Sequence, residues 1–354
     1  MADAIYKSNG NTLSSTANWK RKYRILIYQH NYPVVTFPMA NTSAASVYSQ
    51  TFTQENPSDA ILDVSDLKVV FSIQRTAMYN PNKATITIYN LNASTEMSIV
   101  QEGYRIIVEA GYESNYGQIF DGTILMCNRA KQNGTDYILS ILALDGTQFL
   151  NEGYCSLTYA KGQTARAIVD GITNKAAVGI ALGYASPVLG TVKYSKGMVV
   201  HGLAKNTLSD IAKSINGTWF VDNGKLYIIA YSDSAAKLPM GLQAIELSEK
   251  TGLIGNPAQV QQGVNARMLL NPKVAPYSLV HIKNELITEQ LVDIGTFSKG
   301  ITTPWLLDTE ALYRVVSVTF TGDTRGNDWY ADITTVTQVG NIPELLSTSS
   351  GTAN

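Results

Sequence analysis

The chain has 354 residues, long enough for two or three domains that each bury their own core. Its 45% hydrophobic and 16% charged residues argue against intrinsic disorder, and 27 Lys plus Arg against 28 Asp plus Glu leave no basic excess for gripping nucleic acid through its phosphates. Only two cysteines occur, Cys127 and Cys155, too few for a disulfide-stapled secreted scaffold, so both are expected as buried free thiols. The opening stretch, MADAIYKSNGNTLSSTANW, lacks the apolar segment of a signal peptide, and no run approaches the ~20 apolar residues that cross a bilayer. Folding in the cytoplasm without membrane insertion is the expectation.

Alternation of period two dominates the first 150 residues. After an early strand in KYRILIY, a polar stretch over 33–62 shows no strand pattern and is too long for an ordinary loop. In LKVVFSIQ, Leu67, Val69, Phe71 and Ile73 share one face; Ala84, Ile86 and Ile88 do so in ATITIYNL, and Tyr104, Ile106, Val108 and Ala110 in YRIIVEAGY. GTILMCNRA and DYILSILAL flank Asn133-Gly134, a pair that marks a hairpin because both turn positions need positive φ. Strands of this length and spacing predict a closed barrel or sandwich over 1–150.

Helical spacing takes over next. Ala165, Ile168, Val169, Ile172 and Ala176 predict an amphipathic helix, and Leu208, Ile211, Ala212 and Ile215 a second one. Thr207 and Asp210 resemble a capping box at the start of the second helix, and Gly217 suits the left-handed residue that ends it. TWFVDNGKLYII then forms a hairpin turning at Asn223-Gly224, giving a small α/β unit within 151–235. Strands return in VHIKN, LYRVVSVTF and WYADITTVTQ, predicting a second β-barrel over 236–345, with a frayed tail at 346–354. The expected class is mainly β, with two barrels flanking the helix–hairpin insert. Charge drifts along the chain: residues 151–240 hold 9 Lys/Arg and 5 Asp/Glu, or +4, whereas 241–354 hold 7 and 11, or −4.

Chemistry-bearing motifs are scarce. His30, His201 and His281 stand apart, with no metal-ligand spacing, and no nucleophile elbow or phosphate-cradling glycine loop occurs. Asp323, Asp328 and Asp332 lack the order of a calcium loop. No catalytic, cofactor-binding or metal residue is therefore assigned. The one dense basic run, Trp19, Lys20, Arg21, Lys22 and Arg24, is either an edge strand guarded by charge or a docking contact for an acidic partner.

The order of blocks is itself informative. NPNKATITIYNLNAST, then EAGYESNYGQIFDGTI, then ILALDGTQFL resembles the N-terminal domain of baseplate hub proteins from contractile-tailed bacteriophages. TWFVDNGKLYII is similar to that family's middle unit, the segment from EKTGLIGNP to SLVHI to the start of its second tube-type domain, and GDTRGNDWYADI to its closing hairpin. This resemblance implies a homotrimeric structural protein of the virion, made in the host bacterial cytoplasm. Each subunit would contribute two β-barrel domains to a ring with pseudo-sixfold symmetry. The implied partners are the tail tube or its initiator protein, the threefold central spike and other baseplate proteins, with DNA passing through unbound. Two alternatives stay open: a carbohydrate- or peptidoglycan-binding or hydrolytic tail-tip protein, and the hub of a related contractile injection system.

Overall fold

The computed structural model describes residues 20–29, 61–132, 134–233, 244–260, 263–288, 307 and 311–337. Trp19, His30, Asn133 and positions 33–60 of the long polar stretch lie outside the described residues.

The N-terminal half supplies β1 (Arg21–Gln29), β2 (Ile61–Asp63), β3 (Val69–Thr76), β4 (Lys83–Tyr89), helix α1 (Ala93–Glu102), β5 (Gly103–Tyr112), β6 (Asn115–Gln132) and β7 (Asp136–Leu144). The alternating residues behave as the period-two pattern predicts: Val69, Phe71, Ile73, Ala84, Ile86, Ile88, Ile106, Val108 and Ala110 are all buried in one core. β2 is a departure from the sequence expectation, since Ile61 and Leu62 pair with Tyr28 and Ile27 of β1 within a stretch that carries no alternation.

The middle of the chain folds as α2 (Thr147–Glu152), β8 (Tyr154–Tyr159), α3 (Ala165–Lys175), β9 (Ala181–Ala185), β10 (Met198–Leu203), α4 (Ala204–Ser214), β11 (Gly217–Asp222) and β12 (Lys225–Ala230). Thr164 caps α3, its hydroxyl accepting from the Ala167 N–H at 3.2 Å, and Ala165, Ile168, Val169 and Ile172 turn inward. α4 corrects the expected boundaries. It begins at Ala204, so Thr207 lies inside the helix and forms no capping box. The buried Ala204 fixes the start by donating its N–H to the Gly153 carbonyl at 2.8 Å. At the other end Asn216, not Gly217, takes the left-handed conformation, with φ 48. Gly217 opens β11, where any Cβ would stand 2.2 Å from the Ile229 carbonyl oxygen. The β11–β12 hairpin turns at Asn223 (φ 49) and Gly224 (φ 70), both left-handed as the Asn-Gly pair predicts.

The last third contributes β13 (Ile245–Leu247), β14 (Leu253–Val260), β15 (Gly263–Leu269), β16 (Leu279–Ile282), β17 (Leu312–Asp323) and β18 (Trp329–Thr337). The mainly β class is as expected, but two closed barrels are not what these strands build. Among the described residues they join the N-terminal strands in one open sheet of order β14-β15-β18-β17-β3-β4-β7-β6-β5-β1-β2, with β16 and β13 branching from β17. The seam is β17 against β3, running from Ser317↔Thr76 to Asp323↔Val70. Phe320 and Val318 share the buried side with Phe71 and Ile73, so one hydrophobic core spans both halves. The Phe71 ring covers Gly322, where a Cβ would meet Cζ at 2.2 Å, so this crossing needs glycine.

The opposite face carries a different chemistry. Register places Tyr330, Thr321, Ser72, Thr85 and Leu142 in one row across β18, β17, β3, β4 and β7, with Asp332, Thr319, Gln74, Lys83 and Leu144 in the next. Hydroxyls and amides predominate, and the seam interrupts neither row.

Candidate functional site

The structure disperses the basic run that the sequence singles out. Arg21 donates to the Gly326 and Asn327 carbonyls at 2.6 and 2.9 Å and lies over the Trp329 ring, 5.4 Å from its centre. Lys22 sits 4.5 Å above the Tyr116 ring, Lys20 stands 3.8 Å from Glu113, and Arg24 lies 3.3 Å from Asp63. β2 pairs with β1 only at Leu26–Tyr28, so among the described residues the cationic half of β1 has a free edge. Arg21 thus pins β1 to the loop after β17, while the other charges flank an open strand margin.

Other singled-out residues are also occupied locally. The Tyr154 hydroxyl lies 2.6 Å from His201 Nε2. The Asp323 side chain accepts the Arg325 and Gly326 amides and thereby shapes its own turn, whereas Asp332 pairs with Arg267 at 2.7 Å. Cys155 is buried and Cys127 half-buried, a correction to the expectation that both are fully inside; burial pushes both thiols above their ordinary range. A cleft of about 300 Å³ opens between the β3–β4 turn, α2 and α4, lined by Tyr79, Leu150, Asn151, Lys205, Ser209 and Trp219 among others. Its described lining contains no carboxylate, histidine or cysteine, hence no acid–base or nucleophilic pair.

Sequence reasoning missed a buried ionic group where the helix–hairpin unit meets the sheet. Arg75 of β3 grips Asp222 of β11 through two bonds, Nε to Oδ1 at 2.8 Å and Nη2 to Oδ2 at 2.6 Å. The side chains are 3% and 6% exposed. Asn82 adds bonds to the Asp222 carboxylate and to the Val221 carbonyl, both 3.1 Å. Burial works against the Arg75 charge, but Asp222 outweighs it and holds the guanidinium above its ordinary value. Beside them, Asp145 at the end of β7 accepts the Gly224 N–H at 3.0 Å, and its own N–H donates to the Asn82 carbonyl at 2.9 Å. Burial, reinforced by Asp222 and Asp121, pushes the Asp145 carboxyl up to about 8. Nothing in the local sequence marks these residues, because their partners lie far along the chain.

This arrangement fixes one element against another and presents no reacting atom. It belongs to a mainly β protein, in which this junction ties the helix–hairpin unit to the sheet. The chain belongs to the baseplate hub gp41 family, whose sequence pattern matches residues 47–287, more than half of it. It is thus a structural component of the bacteriophage tail baseplate. Among solved structures it is similar to the 43 kDa tail protein of prophage MuSo2 from Shewanella oneidensis, at 10% identity and TM-score 0.48, over 77% of this chain and 95% of that one. The E. coli c3393 protein, a type VI secretion system component, gives 10% identity and TM-score 0.46 over 77% and 75% of the two chains. A tail protein of Neisseria meningitidis MC58 gives 12% and 0.43 over 75% and 91%. No curated protein matches the chain in sequence.

Proposed function

We propose that the chain is the non-enzymatic hub of a contractile-tail baseplate, a homotrimer joining the sixfold tail tube to the threefold central spike. Its partners in this reading are the tube or tube-initiator protein, the spike, other baseplate proteins and further copies of itself. The observation that carries the proposal is the single sheet formed by both halves of the chain across the β3–β17 seam. One subunit then supplies two sheet segments to a wall, and three subunits supply six, which reconciles a sixfold neighbour with a threefold one. In this proposal residues 1–150 and 236–345 are the two wall segments and 151–235 the helix–hairpin unit set against them.

The hydroxyl-rich rows running through Thr321, Ser72 and Thr85 support a wall that DNA slides past, since they carry few cations to hold phosphates. The ring contact is heterologous, the first segment of one copy meeting the last of the next, so that rotation closes it. Electron microscopy of the assembled particle tests this directly. Three copies around an open channel are expected; six identical copies per ring, or a twofold dimer without a channel, overturns it.

A further inference from the structure

The junction between the helix–hairpin unit and the sheet gathers three buried carboxyl groups, Asp121, Asp145 and Asp222, with two buried guanidinium groups, and their charges do not balance when all are ionised. Asp222 is matched by Arg75, and Asp121 on β6 is matched by Arg105 on β5, whose Nε and Nη2 reach its two oxygens at 2.7 and 2.6 Å. Both carboxylates act on Asp145 through space and disfavour its ionised form. Arg75 on β3 and Tyr227 on β12 also feel its charge; Arg75 spends Nε and Nη2 on Asp222, and its Nη1 makes no hydrogen bond among the described residues. Asp145 has no guanidinium or ammonium of its own, only backbone N–H donors from the hairpin turn. A third carboxylate, with no cation of its own, is strongly disfavoured in such a site, so the group keeps its proton instead.

Its position makes that proton consequential. The Asp145 main chain belongs to the sheet side, bonded to Asn82, and its side chain holds the Gly224 N–H at the tip of β11–β12. Beside it, Gly146 (φ 69) presses on Val221, whose Cγ1 would lie 2.7 Å from an added Cβ, so little room exists to admit water without separating the layers.

We propose that Asp145 is a proton-dependent latch: in its neutral form it seats the β11–β12 hairpin against the sheet, and losing the proton unseats the hairpin. Ionised Asp145 would be repelled by two carboxylates at a buried position, and the repulsion is relieved by opening the junction to solvent. The direction follows from the raised carboxyl. Between about 4 and about 8 the folded chain keeps a proton that the unfolded chain releases, so stability falls as pH rises through that window.

The test uses the full chain, wild type and Asp145→Asn, the variant keeping a neutral acceptor for Gly224. Hydrogen exchange is followed at pH 6 and pH 9, corrected for base-catalysed intrinsic rates. Wild-type amides of 217–230 are expected to lose protection at pH 9, the folding equilibrium falling by up to tenfold per pH unit within the window. β14 amides, at the far edge of the sheet, serve as the remote control and stay unchanged, and Asp145→Asn stays protected throughout. Flat wild-type protection, or a variant that opens like wild type, overturns the latch. Should Asp145→Asn fail to fold, infrared titration of wild type decides. A buried carboxylic acid C=O band lost between pH 6.5 and pH 9 with the same midpoint as the loss of protection over 217–230 upholds the proposal; no band, or a band lost without that opening, overturns it.

Discussion

Replacing Arg75 by Met tests whether the junction is held electrostatically. The substitution keeps an unbranched apolar stem but removes both bonds to Asp222, leaving a carboxylate whose side chain is 6% exposed with only Asn82 as donor. Two routes are open to it. It can remain ionised without its cation, which in buried pairs costs about 3–5 kcal/mol. Alternatively it takes up a proton, which from an ordinary carboxyl pKa costs about 4 kcal/mol at pH 7. The cheaper route sets the loss, so about 3–4 kcal/mol is expected in urea unfolding at pH 7, shrinking toward pH 5 as protonation becomes easier. Asp222→Leu alone strands the guanidinium and costs a similar amount. The double variant Arg75→Met/Asp222→Leu should cost less than either single change, because no charge is left buried. A loss below about 1 kcal/mol for Arg75→Met, or a double variant equal to the sum of the singles, refutes this reasoning.

Two further substitutions probe separate contacts. Gly146→Ala places a Cβ 2.7 Å from Val221 Cγ1 at a left-handed φ of 69, and should lower stability by more than about 1 kcal/mol, read as a fall in melting temperature. Arg267→Ala removes an ion pair whose side chains are 49% and 41% exposed, and should cost less than about 1 kcal/mol, with the difference fading as salt is added to the unfolding assay.

Local chemistry was legible in the sequence wherever a short pattern decided the structure. Phe71, Ile73, Ile86 and Ile88 are buried because alternation alone assigns their face, and Asn223-Gly224 turns because few other pairs tolerate positive φ twice. The limits of α4 differ from the sequence expectation for a related reason. Asn216 and Gly217 can each take a left-handed φ, and only the close approach of the Ile229 carbonyl reserves the glycine for the strand. What stayed hidden depended on distant partners. Val318 and Arg75 read as members of separate barrels until register places them opposite each other. Arg75 and Asp222 stand 147 positions apart, each an ordinary charged residue in its own strand. The basic run was conspicuous for its density, but its partners in the 323–328 loop are main-chain carbonyls, which leave no mark in a sequence.

The seam and the ionic junction are parts of one construction. Arg75 belongs to the strand that pairs with β17, so the residue gripping the hairpin also stands in the ladder that fuses the two halves. A small apolar cluster lies alongside: Phe220 and Ile229 of the hairpin pack with Ala77 from the N-terminal half and with Tyr277, Val316 and Val336 from the C-terminal half. Phe220 stacks between Tyr227 and Tyr277, with ring centres 5.2 and 5.8 Å away. The hairpin therefore touches both sides of the seam at once. Parting β3 from β17 would break the ladder and also pull apart the surface on which Phe220 rests. A helix–hairpin unit placed this way acts as a clamp across the join between two sheet segments. That role needs buried area and matched charge, and it requires no catalytic group.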